Sequence, residues 1–258
     1  MAGIMGGKKG LIFGVANKRS IAWSIAKSMA REGAQLAFTY QGERLLENVK
    51  ELADTLQDSL LFPCDVMQEG QVDDVFRKVD QAWGGLDFLV HCIAYARAED
   101  LEGDYLKTNQ EGFNVALGVS AYSLTLLSRK AAPLMEKKGG GSIVTLTHLG
   151  GERVMPRYNV MGVAKAALDA SVRYLANDLG PKNIRINAIS AGAINTLAAR
   201  GISGFTELLR VAREKAPLRR NVEPEEVGDT AMFLCSHLSR GMTGEVLFVD
   251  CGCHILGA

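Results

Sequence analysis

No apolar run in the 258-residue chain approaches the roughly 20 residues that a membrane-spanning helix needs, so no span is expected. Neither sign of charge is in excess. The 29 Lys and Arg stand against 29 Asp and Glu, and a balanced chain lacks the basic footprint of a general nucleic-acid binder. Cysteine is sparse and badly spaced for metal: among Cys64, Cys92, Cys235, Cys251 and Cys253, only Cys251-Gly252-Cys253 is close, and it is too tight for zinc. An odd number of cysteines suits a reducing compartment. No repeat, linker or low-complexity tract interrupts the chain, which leaves one domain over residues 1–258 as the expectation. Met1 to Gly10 is short, glycine-rich and basic without a signal-peptide pattern, so a cytoplasmic location is expected, or a stromal one after loss of a transit segment.

What is present is a regular alternation of short apolar runs and longer amphipathic ones. Strands are expected at 10–14, 35–40, 59–66, 86–92, 142–146, 184–189 and 245–250, and helices at about 20–32, 43–57, 68–83 and 111–135. A further long helix starts around Tyr158. Apolar strands separated by helices give an α/β fold: a single Rossmann-type doubly wound domain with about seven parallel strands and helices on both faces. Ligands of such a sheet sit beyond the carboxyl ends of its strands.

Tyr158 and Lys165 are seven residues apart, close to two helical turns, so both side chains fall on nearly one face. A phenol able to donate a proton and an ammonium able to hold a sugar hydroxyl form a reductase pair. The first strand runs into Gly14-Val15-Ala16-Asn17-Lys18-Arg19-Ser20, where Gly14 permits a sharp turn and Ser20 can cap the helix whose N-terminus faces a pyrophosphate. Gln41 stands where an acid would meet the adenosine ribose. Its amide can bond a hydroxyl, and Glu43 repels a 2′-phosphate, which favours NADH over NADPH despite Arg44 nearby. Asp65 follows the third strand, where it can accept from an adenine amino group.

Together these residues resemble the bacterial and plastid enoyl-acyl-carrier-protein reductases of the short-chain dehydrogenase superfamily. The matching stretches are GVANKRSIAWSIA, FTYQGERL, CDV, EGFNVALGVSAYS, GGERVMPRYNVMGVAKAALDASVRYLA, RINAISAG and TLAARGI, nearly end to end. Six residues between Tyr and Lys mark this branch. The resemblance implies hydride delivery from NADH to the β-carbon of a trans-2-enoyl thioester in fatty acid biosynthesis, on an acyl carrier protein or coenzyme A, by a homotetramer. It places Gly14, Ser20, Ile21, Gln41, Asp65, Val66, Ile93, Lys165, Ile194, Asn195, Thr196, Leu197 and Ala198 at the cofactor, Ala96 at the substrate, and Tyr158 as donor to the thioester carbonyl. It also implies a mobile substrate-binding lid over about 196–220.

Several positions depart from the family. His148 replaces a second tyrosine; it keeps a ring and a donor after a strand's carboxyl end, which favours a place in the pocket and a catalytic part. Ala193 and Asn195 stand where a proline and a cation are usual, Arg97 where a proline is, and Cys251 where a small residue is. These changes leave open a relative acting on a polyketide-type enoyl or carbonyl substrate, or a cofactor-binding scaffold without activity. Within the lid, Arg200, Arg210, Arg213, Lys215, Arg219 and Arg220 outnumber Glu207 and Glu214, which suggests a cationic rim for an acidic carrier or phosphopantetheine arm. Met155, Met161, Tyr95, Phe205 and Leu209 are candidates for an apolar acyl channel.

Overall fold

A computed structural model describes residues 3–196 and 205–257, with the side chains of Phe205 and Leu208 left aside. Seven parallel strands form one sheet in the order β3-β2-β1-β4-β5-β6-β7. They are β1 (Lys9–Phe13), β2 (Gln35–Tyr40), β3 (Leu60–Pro63), β4 (Phe88–His91), β5 (Gly141–Thr147), β6 (Ile184–Ala191) and β7 (Val246–Val249). The chain order reverses between β1 and β4, so the crevice at the carboxyl ends opens there.

Alternate residues of each strand face opposite sides. Leu11 and Phe13 join a core with α3 (Glu69–Trp83), α5 (Ser123–Glu136) and α6 (Asn159–Leu179), whereas Ile12 joins one with α1 (Ile21–Arg31), α2 (Glu43–Ala53) and α8 (Pro224–Cys235). Gly10 has a packing reason: a Cβ there would lie 1.9 Å from the Phe88 ring, so a glycine lets the aromatic of β4 cross β1.

Two features differ from the sequence expectation. The helix expected at 111–135 is α4 (Gln110–Leu117), a π turn at Gly118–Tyr122, and α5. The turn has a clear anchor: Ser120 Oγ accepts from the Tyr95 amide at 2.9 Å and donates to the Tyr95 carbonyl at 3.1 Å, joining the bulge to the loop after β4. Helix α8 was not expected, although Glu223 and Glu226 make a capping box around Pro224. The long helix expected to start around Tyr158 is α6, with Tyr158 as its N-cap residue.

Arg185 on β6 secures the far end of α8. Its guanidinium donates to the carbonyls of Leu234, Ser236 and Met242 and to Ser239 Oγ. Arg185→Met removes these four charge-assisted hydrogen bonds, although Ser142 Oγ still donates to the Leu234 carbonyl and Asn187 Nδ2 to the Met242 carbonyl, and should cost about 2–4 kcal/mol, read as a lowered denaturant midpoint at unchanged m value.

Candidate active site

A cavity of about 720 Å³ opens over the carboxyl ends of β1 to β5. The sequence brings backbone very close here. Gly14 has φ 100°, and a Cβ on it would lie 1.9 Å from the Cys92 carbonyl, so glycine alone fits where the loops after β1 and β4 meet. The following loop is tied by Ser20, whose Oγ accepts from the Ala16 and Asn17 amides at 3.1 Å each. This corrects the expected helix cap: Ser20 folds the loop back and makes no side-chain bond to the first turn of α1. Asp65 Oδ1 accepts from the Met67 amide within its own turn, and the residue still lines the cavity with Gln41 and Val66.

On the opposite wall stand Tyr158, Lys165 and His148. Tyr158 lies between two residues of positive φ, Arg157 at 60° and Asn159 at 29°, a strained stretch of the kind that collects at functional sites. Asn159 Nδ2 holds it by donating to the Glu102 and Gly103 carbonyls. Gly150 makes room for the phenol ring, since a Cβ there would lie 2.5 Å from Tyr158 Cδ1. Burial, then the Asp169 carboxylate, pushes the phenol well above its usual pKa, so it stays a proton-bearing donor.

Lys165 is 5% exposed, and its Nζ donates to the Leu146 carbonyl at 2.7 Å. Burial pulls its pKa down to about 8. Beneath it His91 is fully buried between Thr145 Oγ1 and Ser123 Oγ, 2.8 Å from each. Ser123 spends its proton on the Val119 carbonyl. It therefore accepts from His91 Nε2–H, and Thr145 donates to Nδ1. Burial and Lys165 hold this imidazole neutral, with its pKa pulled down to about 3.

His148 packs its ring on Tyr158, centroids 5.0 Å apart. Its Nδ1 accepts from the Gly150 amide at 3.0 Å, which fixes the proton of the neutral ring on Nε2. Burial, then Lys165, pulls its pKa down to about 4, against the opposing charge of Asp250. His148 is thus a fixed donor and not a group that titrates near neutrality. Turnover should show no break between about pH 6 and 8 that His148→Gln removes; a break near pH 6.5 that vanishes in His148→Gln would contradict this.

A family model described as Enoyl-(Acyl carrier protein) reductase matches residues 14–254. The chain is 57% identical over 251 residues to the enoyl-[acyl-carrier-protein] reductase [NADH] FabI of Bacillus subtilis, with 96% of each chain covered. The chain belongs to this reductase family. Its fold superposes on the Bacillus cereus reductase solved with NADP+ and an indole naphthyridinone, at TM-score 0.97 and 54% identity over 99% of this chain and 100% of that one. The Anaplasma phagocytophilum reductase solved with NAD gives 0.96 at 48% identity, over 100% and 98%.

Of the residues picked from the sequence, Gly14, Ser20, Ile21, Gln41, Asp65, Val66, Ile93, His148, Tyr158, Lys165 and Thr196 line the cavity. Ile194 is instead buried in the core facing α1 and α8. Asn195 and Ala96 fall beside the cavity, next to lining residues Thr196 and Tyr95. Leu197 and Ala198 lie outside the described residues, as does Arg200. Sequence reasoning missed Cys92 and Thr147, which also line the cavity. Burial pushes the Cys92 thiol up to about 11, so it is no nucleophile at neutral pH. Of the acyl-channel candidates, Tyr95 lines the cavity while Met161 is in the core.

Arg97 and Cys251, two departures from the family, each have a local setting. Arg97 pairs with Glu111 at the start of α4. Cys251 has φ 58° and sits in the core, a backbone that glycine adopts more easily. The expected cationic rim is partly neutralised. On α7 (Phe205–Lys215) Arg210 bridges Glu207 and Glu214, and Arg220 pairs with Glu226, while Arg213, Lys215 and Arg219 have no carboxylate partner among the described residues.

Proposed function

We propose that this protein reduces the trans-2 double bond of an enoyl-acyl-carrier-protein thioester with NADH, the enoyl-reduction step of fatty acid biosynthesis, acting as one domain. The observation that carries the reading is the meeting of Tyr158 and Lys165, one wall of a cavity whose other wall is the Gly14 loop, in a chain of this reductase family. The cavity suits a dinucleotide. Gly14 leaves a cradle that any Cβ would fill, and the loop precedes the N-terminus of α1, where backbone amides favour a pyrophosphate. Gln41 and Asp65 would hold the adenosine end, Gly14, Ser20 and Ile21 the pyrophosphate, and Lys165 with Ile93 and Thr196 the nicotinamide ribose end.

NADH supplies the hydride when bound. Tyr158 donates its hydroxyl proton in a hydrogen bond to the thioester carbonyl oxygen as negative charge develops there, a preorganised donor in a dry site. The phenol keeps that proton because burial raises its pKa. Lys165 Nζ keeps one hydrogen on the Leu146 carbonyl and offers the others to the ribose. His148 Nε2–H would add a second donor beside the Tyr158 ring. A homotetramer in the cytoplasm is the assembly and location that fit the family resemblance; no helix among the described residues is long and apolar enough to cross a membrane.

Purified protein should consume NADH with crotonyl-acyl-carrier protein or crotonyl coenzyme A. Tight NADH binding without turnover would overturn the enzymatic reading. Because His148 replaces the family's tyrosine, a keto thioester belongs in the same assay: faster turnover of it than of the enoyl substrate would favour the carbonyl alternative.

A further inference from the structure

Asp169 is a buried carboxylate that the reaction described above does not use. It lies one turn beyond Lys165 on α6, so Lys165 and Asp169 share one helical face. Lys165 and Asp169 are 5% and 7% exposed, and Lys165 is the one buried Lys or Arg among the described residues. The ammonium has only a neutral backbone partner, the Leu146 carbonyl. Asp169 Oδ1 and Thr147 Oγ1 are buried with no hydrogen-bond partner among the described residues. Burial raises the Asp169 pKa, and the nearby Thr147 hydroxyl and then the Lys165 ammonium oppose that rise by favouring the carboxylate. Above them a Cβ on Gly151 would come within 2.8 Å of Asp169 Oδ2, so the carboxylate is roofed by the turn after β5. The charged groups facing it are Lys165 and Arg173 of α6 and Glu152 of that turn.

We propose that Asp169 is a positioning residue, an unpaired counter-charge one turn from Lys165 that keeps the lysine an ammonium for NADH. The inference rests on the reading of Lys165 as the ribose anchor. Two groups oppose the burial that pulls Lys165 down: Cys92 and Asp169. The Cys92 thiol, pushed up to about 11, is uncharged at neutral pH, so Asp169 supplies the compensating negative charge. A lysine with a depressed pKa is charged below that value and loses its proton above it. NADH affinity should therefore hold at low pH and fall as pH rises through about 8. Removing the carboxylate moves that fall to lower pH.

The test measures NADH dissociation constants by fluorescence from about pH 6 to about pH 9, and Lys165 titration in the NADH-free protein by NMR of carbon-13-labelled lysine. Asp169→Asn should lower both midpoints by about one pH unit. NADH binding is then unchanged near pH 6, about threefold weaker at pH 7.5 and about eightfold weaker at pH 8.5. Turnover at saturating NADH should stay within about twofold, and Asp169→Glu should restore most of the shift. Thr147→Val, a near-isosteric change, should move the midpoint the same way by less, and it carries the test if Asp169→Asn does not fold. An unchanged lysine midpoint in these variants, or NADH binding weakened equally at every pH, overturns the proposal. If Lys165→Met binds NADH as tightly as the parent, the ribose-anchor reading fails, while the NMR titration still decides the role of Asp169.

Discussion

Tyr158→Phe should lower enoyl-thioester turnover by about 10²- to 10³-fold while NADH affinity stays within about twofold. The substitution removes one oxygen and keeps the ring, which sits against Gly150 and His148, so the site retains its shape. What is lost is a donor whose bond strengthens as the carbonyl oxygen gains charge. The effect therefore falls on turnover and not on ground-state binding. Residual activity would come from His148 Nε2–H and from the bound geometry. A double substitution, Tyr158→Phe with His148→Phe, should show the two donors to be non-additive, as groups acting on one oxygen are. Steady-state kinetics beside NADH titration separates these effects; a rise in the NADH dissociation constant with turnover preserved would contradict the role of Tyr158.

Lys165→Met should weaken NADH about 10- to 100-fold, the size expected for charge-assisted hydrogen bonds. Its effect on stability has the opposite sign. Lys165 has its pKa lowered by burial from 10.5 to about 8, so at neutral pH the folded state bears the cost of holding a proton it binds less well than the unfolded chain does. Methionine fills similar volume without charge, at the loss of a partner for the Leu146 carbonyl. The net expectation is a gain of about 1–2 kcal/mol. A variant more stable yet poorer at binding NADH would show a functional group held in the site against its own solvation. Thermal unfolding of the NADH-free variant measures the first half, and NADH titration the second. Loss of stability in the free protein would count against this assignment of cost.

The sheet was legible because parallel strands buried on both faces read as continuous apolar runs, as in Leu11-Ile12-Phe13 and Ile184 to Ile189. The Gly14 loop and the Tyr158–Lys165 pair were legible because backbone conformation and helical spacing are local properties. What escaped depends on partners distant in the chain. The π turn is fixed by Ser120 and Tyr95, 25 residues apart. Ser20 binds amides behind it in place of those ahead. The lid's excess of cations is reduced by pairing, because Arg220 finds Glu226 beyond the stretch in which the charges were weighed. Ile194 matched a family position, yet its side chain turns to the core. The tautomer of His148 needed the Gly150 amide, which residue type alone does not reveal.

The most direct measurement is a crystal structure with NADH and a non-reducible enoyl-thioester mimic. Tyr158 Oη is expected within hydrogen-bond distance of the thioester carbonyl, Lys165 Nζ on the nicotinamide ribose, and the pyrophosphate over the Gly14–Ile21 loop. A carbonyl bound away from Tyr158, or a ribose out of reach of Lys165, would contradict these roles.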